Sequence, residues 1–197
     1  MKYNLPNEQG EVLPNLLGLT DGKSIERAEF KGFLAADALF NAKLSKKTRF
    51  NNRYIQQLHK AALGHLYGFA GKWRDVNMSK GGFVFPSALF LPQSMADFEQ
   101  NILNKLTQKH ENKIDLVEQI AIIHGELLFL HPFREGNGRT ARLLSNLMLR
   151  QHGYEDFNFQ RLTAPSEGFN RYVLAVQACA TSNYQPIIDI LQESCPR

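Results

Sequence analysis

Apolar residues along this chain recur mostly at three- and four-residue intervals, the period that lines one face of a helix. From Ser24 to about Lys43, such a stripe is formed by Ile25, Phe30, Phe33, Leu34, Ala38 and Leu39, with Ser24 as the expected N-cap and Glu26 just inside it. A second helix is expected from Asn52 to Leu66, where Ile55, Leu58, Ala62, Leu63 and Leu66 share a face. The pattern changes between Arg74 and Leu91. Gly81-Gly82 separates short segments there, and Phe83, Val84, Phe85, Leu89, Phe90 and Leu91 favour strand, so the stretch predicts a small β-hairpin. Helical spacing resumes from Gln93 to Leu106, with Met95, Phe98, Ile102 and Leu106 inward.

The most regular helix runs from Asp115 to Leu130. Asp115 is its expected cap and Glu118 the matching acid, while Leu116, Ile120, Ile123, Leu127 and Leu130 mark a core face. The next helix is expected from Gly138 to Gln151, closed by Gly153, with Leu144, Leu147 and Met148 apolar. Two more follow, from Phe169 to Ala180 and from Tyr184 to Gln192. Pro6, Gly10, Pro14, Gly18 and Gly22 give the first residues the look of a loosely structured entry. The expected fold is mainly α, in one domain over residues 1–197.

Composition sharpens this only a little. With 43% hydrophobic and 21% charged residues, the chain is neither disordered nor fibrous by its usage. The net charge of +4 is spread along the sequence, and the one short basic run, Lys46-Lys47-Thr48-Arg49, reads as a solvated loop. Direct nucleic-acid binding is not indicated, although a basic surface suits an anionic ligand. Cys179 and Cys195 are too few for a disulfide framework and lack metal-ligand spacing. No apolar stretch reaches the ~18 residues needed to span a bilayer, and the first residues lack the apolar run of a signal peptide. A reducing cytoplasm is therefore the expected location, unless a dedicated secretion machine exports the protein.

Candidate chemistry concentrates between the two central helices, in His131-Pro132-Phe133-Arg134-Glu135-Gly136-Asn137-Gly138-Arg139-Thr140-Ala141-Arg142. Gly136, Asn137 and Gly138 precede a helix, so their N–H groups face outward beside the positive end of its dipole and form an anion site. Arg139 and Arg142 follow in the first turn, three residues apart, and two forked cations suit a polyphosphate. Cations there oppose the dipole, a cost that a bound anion would offset. Glu135 is then an acid inside a phosphate site, which points to a divalent cation, Mg²⁺, bridging phosphate oxygens. His131, just past the preceding helix, can accept a proton from an incoming hydroxyl. Together these parts describe nucleotidyl or phosphoryl transfer.

At these residues the chain resembles the Fic family, whose signature H-x-F-x-[DE]-G-N-G-R-x-x-R is matched without a gap from His131 to Arg142. The likeness extends upstream to the stretch from Leu66 to Asn77 and to Ser79-Lys80-Gly81-Gly82-Phe83, and covers about 52–191, leaving 1–51 as an N-terminal extension. It implies a compact bundle of about eight helices with a hairpin flap. It further implies transfer of AMP from Mg-ATP to a Tyr, Thr or Ser hydroxyl of a target protein. His131 would be the base and Glu135 the Mg²⁺ ligand. Gly136, Asn137 and Gly138 would form the anion hole, with Arg139 on the β-phosphate side and Arg142 at the γ-phosphate. Lys80, Gly81, Gly82 and Phe83 would belong to a flap that pins the target by main-chain pairing.

Two further implications concern specificity and control. The phosphate-transferring branch of the family carries Lys at the position of Gly138, so glycine favours AMP transfer over phosphate transfer. Many members are silenced by a helix carrying [ST]-x-x-x-E-[GN], whose Glu pairs with the second Arg. That string occurs at Thr107 to Asn112 and at Thr163 to Gly168, neither of them in a terminal helix, and both read as chance matches. A toxin-like member restrained by a separate small antitoxin, with a type II topoisomerase subunit as target, is the resulting expectation. A kinase on the same fold and a non-catalytic ATP-binding protein are the alternatives.

Overall fold

At the centre lies α4, Lys113–Leu130, where Leu116, Val117, Ile120, Ala121, Ile123, Leu127, Leu128 and Leu130 are all buried. A helix apolar on most of its circumference has to be enclosed by others. Its neighbours are α5 (Asn137–Gln151), α6 (Glu167–Ala178), α7 (Gln185–Ser194) and α3 (Leu91–Asn101). α1 (Gly22–Lys43) and α2 (Asn52–Leu63) pack on each other and close the bundle over α5. The computed structural model describes residues 12–105, 110, 112–162 and 167–196, and among these it holds seven α-helices and one hairpin. Both strings resembling the inhibitory motif lie largely outside the described residues, as does Leu106. Among the described residues no helix is long and apolar enough to cross a membrane.

Several expected details shift. α1 begins at Gly22, not Ser24, because Asp21 caps it by accepting from Ser24 N at 2.9 Å. α4 begins at Lys113 because Asn112 accepts from Asp115 N at 3.0 Å, so Asp115 is a first-turn acid rather than the cap. α2 ends at Leu63, α3 runs ahead of its expected start and stops at Asn101, and α6 and α7 move by one or two residues. The Lys46 to Arg49 run is a loop whose three basic side chains are exposed, as expected.

The stripe on α1 is the clearest correction. Phe30, Leu34 and Leu39 point outward, while Ile25, Glu29, Gly32, Phe33 and Ala36 are buried. Gly32 selects that face: a Cβ there would stand 1.9 Å from the Ala62 carbonyl oxygen, so the two helices touch backbone to backbone at this point. The face that can approach closely wins over the face with more apolar area, and it carries a carboxylate, Glu29, inward.

The hairpin is shorter than expected. β1 (Ser79–Lys80) pairs antiparallel with β2 (Phe83–Val84) across Gly81-Gly82. Leu89 and Phe90, read as strand, instead lie in a 3-10 turn over Ala88–Phe90 that runs straight into α3. Pro86 cannot donate to a ladder, and Ser87 caps the turn through its Oγ to Leu89 N at 3.3 Å.

Candidate active site

α4 stops at Leu130, and His131 caps it in the left-handed conformation, with φ 50° and ψ 58°. That backbone is uncommon for a residue with a Cβ and swings the imidazole back over the last turn. Nδ1 lies 2.9 Å from the Leu128 carbonyl oxygen. A carbonyl only accepts, so Nδ1 carries the ring proton and Nε2 the lone pair. The ring stacks on Phe85 with centroids 3.9 Å apart. Burial, seconded by the positive charges of Lys80 and Arg74, holds the imidazole neutral and lowers its pKa to about 3.

Arg74 fixes this peptide. Only 2% exposed, it donates from Nε to the His131 carbonyl at 2.7 Å, from Nη1 to Val76 O and from Nη2 to Pro86 O and Leu130 O. Its own N–H bonds Pro132 O at 2.8 Å. The buried guanidinium thus rests on the negative end of the α4 dipole, and desolvation lowers its pKa to about 10. Val76 and Pro86 flank the hairpin, so one side chain joins the flap root to the imidazole.

The loop beyond is held from inside. Asn137 accepts from Phe133 N at 2.8 Å and donates to Phe133 O at 2.7 Å, turning Phe133 into the core against His59. His59 accepts from Gly71 N through Nδ1 at 2.9 Å, so its Nε2 proton goes to the Glu135 carbonyl, also at 2.9 Å. Gly136, with φ 76°, takes the left-handed turn into α5, and a Cβ there would come within 2.7 Å of Leu63 Cδ1. The first intrahelical bond runs from Thr140 N to Gly136 O. The N–H groups of Asn137, Gly138 and Arg139 therefore stand ahead of the hydrogen-bonded ladder, at the positive end of α5.

The two arginines are anchored differently. Arg139 pairs with Glu29 at 2.8 Å, lies 3.5 Å from Glu135 and sits over the Phe33 ring at 4.9 Å. Tyr67 donates to the other oxygen of Glu29 at 2.8 Å. Arg142 lines the cavity wall together with Tyr172, and its guanidinium lies over Gly138, where a Cβ would stand 3.4 Å from Nη1. The Glu135 carboxyl is raised above its ordinary range by burial and then by Glu29, although it accepts from Gly136 N at 2.8 Å.

All of this opens on one cavity of about 820 Å³. Of the residues singled out in the sequence, His131, Glu135, Gly136, Gly138, Arg139, Arg142, Lys80, Gly81 and Phe83 line it. Asn137 does not: its side chain is an internal clamp, and only its backbone belongs to the helix start. Gly82 forms the exposed tip of the hairpin turn, away from the cavity wall. Sequence reasoning missed Glu29, Tyr67, His59, His124 and Tyr172. A signal existed for Glu29, which stands four residues after Ile25 and four before Phe33, on the buried face.

A mainly helical bundle with a two-stranded flap, presenting a helix start, two arginines and a neutral imidazole to one cavity, is the Fic type of fold. Residues 49–149 match the Fic/DOC family. The chain is 36% identical over 136 residues to the protein adenylyltransferase Fic of Drosophila virilis, covering 68% of this chain and 27% of that protein. With the Drosophila yakuba relative of the same name it shares 30% identity over 175 residues, covering 88% of this chain and 34% of that one. The crystal structure of BepC from Bartonella tribocorum with bound AMPPNP superposes with a TM-score of 0.76 at 18% identity, covering 96% and 94% of the two chains. This chain belongs to the Fic/DOC family. It spans between about a quarter and a third of the length of the curated relatives it matches.

Proposed function

We propose that the protein is an adenylyltransferase that moves AMP from ATP onto a hydroxyl side chain of another protein. The observation that carries this reading is that a neutral imidazole with its lone pair on Nε2 shares one cavity with an anion-binding helix start and two arginines. The adenylyltransferase names of the curated relatives support the same chemistry.

In this mechanism the triphosphate lies across the start of α5. The backbone N–H groups of Asn137 and Gly138 hold phosphate oxygens, with Arg139 on the β-phosphate side and Arg142 at the γ-phosphate. The incoming hydroxyl gives its proton to His131 Nε2 as its oxygen bonds to the α-phosphorus. The bond from that phosphorus to the bridging oxygen breaks, and pyrophosphate leaves with the electron pair. Phe85 and the Nδ1 bond to Leu128 keep the imidazole in the tautomer that can accept. The hairpin at Lys80 to Phe83 presents the target by strand pairing.

A Mg²⁺ ion fits the donor set. Glu135 places a hard carboxylate oxygen beside the helix start, where burial and then the negative charge of Glu29 raise its proton affinity. Among the described residues no group of three or more acidic, His or Cys side chains could cage a metal, which suits an ion that binds through one or two carboxylates and substrate phosphates. When bound, it neutralises phosphate charge.

Phosphate transfer on the same fold is the second reading. Gly138 weighs against it, since the phosphate-transferring branch of the family carries Lys at this position. The type II topoisomerase subunit suggested as target and the separate antitoxin belong to the same proposal through family likeness, and a cytoplasmic site of action is proposed with them. The test is intact-mass analysis of a lysate target incubated with Mg-ATP: an AMP adduct is expected, and a phosphate adduct overturns the reading. His131→Ala should cut transfer by about 10² or more while leaving ATP affinity near that of the parent.

A further inference from the structure

Glu29 is a carboxylate on the packed face of α1, with Ile25 one turn before it and Phe33 one turn after it, both buried. A charge in such a place costs free energy unless its oxygens are met. Both are: Oε1 accepts from the Tyr67 hydroxyl at 2.8 Å, and Oε2 accepts from Arg139 Nη2 at 2.8 Å. Two bonds from distant parts of the chain hold Glu29 in the cavity wall, so it is a fixed charge.

The same nitrogen, Arg139 Nη2, lies 3.5 Å from Glu135 Oε1, which also accepts from Gly136 N. One cation is thus shared by two carboxylates, and its side chain is the most open of the three, 29% exposed against 7% for Glu29 and 21% for Glu135. All three line the cavity. A phosphate that reaches Arg139 therefore approaches both carboxylates as well. A bare oxyanion meets two like charges around one opposite charge, whereas a triphosphate carrying a divalent cation brings two positive charges into the same space. A like charge held in place rejects the wrong partner more than it weakens the right one. Arg142, Lys80 and Glu26 also line the cavity and take part in its overall attraction for anions. Glu29 bears on how far that attraction depends on the metal.

We propose that Glu29 is a specificity residue of the site, whose fixed charge makes the Arg139 subsite selective for metal-loaded nucleotide over free nucleotide and other bare polyphosphates. This rests on the reading of Arg139 as a phosphate ligand and of Glu135 as the residue that would hold Mg²⁺. Glu29 acts through its charge and its position beside Arg139, while Tyr67 keeps it from turning away.

The test is calorimetric binding of AMPPNP to the full chain and to Glu29→Gln, each with Mg²⁺ and again with the metal chelated. AMP, which lacks the outer phosphates, is the control. Glutamine keeps the shape, since its carbonyl oxygen can face Arg139 and its amide can donate to the Tyr67 oxygen. Metal-free AMPPNP affinity should rise by about tenfold in Glu29→Gln, while affinity with Mg²⁺ stays within about threefold of the parent and AMP binding does not change. Inorganic tripolyphosphate without metal should gain as AMPPNP does. If Glu29→Gln alone does not fold, the comparison moves to Arg139→Ala against Arg139→Ala/Glu29→Gln, where the double variant should bind metal-free AMPPNP about tenfold more tightly. A purely supporting role for Glu29 predicts metal-free affinity at the parental level or below it, with an equal change in Mg²⁺, and that result would overturn the proposal. So would a parental AMPPNP affinity that ignores Mg²⁺. Parental affinity in Arg139→Ala would overturn it together with the reading of Arg139 as a phosphate ligand. Failure of AMP transfer to any target with this binding pattern intact would sink the adenylyltransferase reading and leave the selectivity standing.

Discussion

Arg139 and Arg142 leave α5 three residues apart and reach one cavity, yet their surroundings differ. Arg139 is clamped by a carboxylate, Glu29, that Tyr67 holds from behind, and by the face of Phe33. Arg142 reaches back along the helix, its guanidinium over Gly138 on the wall that Tyr172 shares. The first is an ion pair closed between two helices, α1 and α5, whereas the second lies along α5 itself, over a residue with no side chain. Arg139, in the first turn of α5, opposes the helix dipole, and the Glu29 carboxylate offsets that cost.

The comparison is broken most forcefully at Arg139. Arg139→Ala leaves Glu29, 7% exposed, beside Glu135 with no cation between them. Stability should fall by about 2 kcal/mol in chemical denaturation, a buried-pair cost discounted because the guanidinium is partly solvated, and nucleotide affinity should fall with it. Adding Glu29→Gln should restore part of both losses, which a purely steric role for Arg139 would not allow.

Arg142→Ala should act on binding: affinity for ATP should drop by about tenfold to a hundredfold in calorimetry, and parental affinity would remove Arg142 from the phosphate site.

Glu135 sharpens the contrast through pH. Its carboxyl pKa is raised, by burial first and Glu29 second, so the native state keeps this proton where the unfolded chain has already lost it. Ionisation of Glu135 therefore subtracts stability at neutral pH, and the loss disappears as the pH falls through the raised value toward the ordinary one. Glu135→Gln should melt higher than the parent at pH 7, with the difference shrinking toward about pH 4, while transfer activity falls. Equal melting temperatures at both pH values would count against the buried-carboxylate account.

The smallest effect is expected at Gly138. Its absent Cβ would stand 3.4 Å from Arg142 Nη1, so Gly138→Ala should displace the guanidinium slightly. ATP affinity should fall a few-fold, with stability changed by no more than about 1 kcal/mol, since alanine favours the helix.

Much of the site could be read in the sequence because it is local. Twelve consecutive residues carry the imidazole, the acid, the helix start and both arginines, and their spacing alone determines what faces what. The central helices were equally legible, since nearly every face of α4 is apolar and any helical register buries it. What escaped notice acts at long range. Glu29 meets Arg139 across 110 positions of chain, and Tyr172 meets His124 across 48. The stripe on α1 misled because two faces compete there. Phe30 and Leu34 offer more apolar area, but only the Gly32 face can touch the backbone of α2. The hairpin was overextended because Leu89 and Phe90 have strand propensity, which Pro86 and the Ser87 cap override.

Arg74 has a mechanical consequence. Its guanidinium grips the backbone on both sides of the hairpin and, with the same hand, the peptide that carries His131. A polypeptide drawn against the hairpin edge would pull on a strut rather than on slack chain. Tension from a correctly seated partner would thus arrive at the peptide of His131 itself, and a partner that seats badly would leave that imidazole out of line.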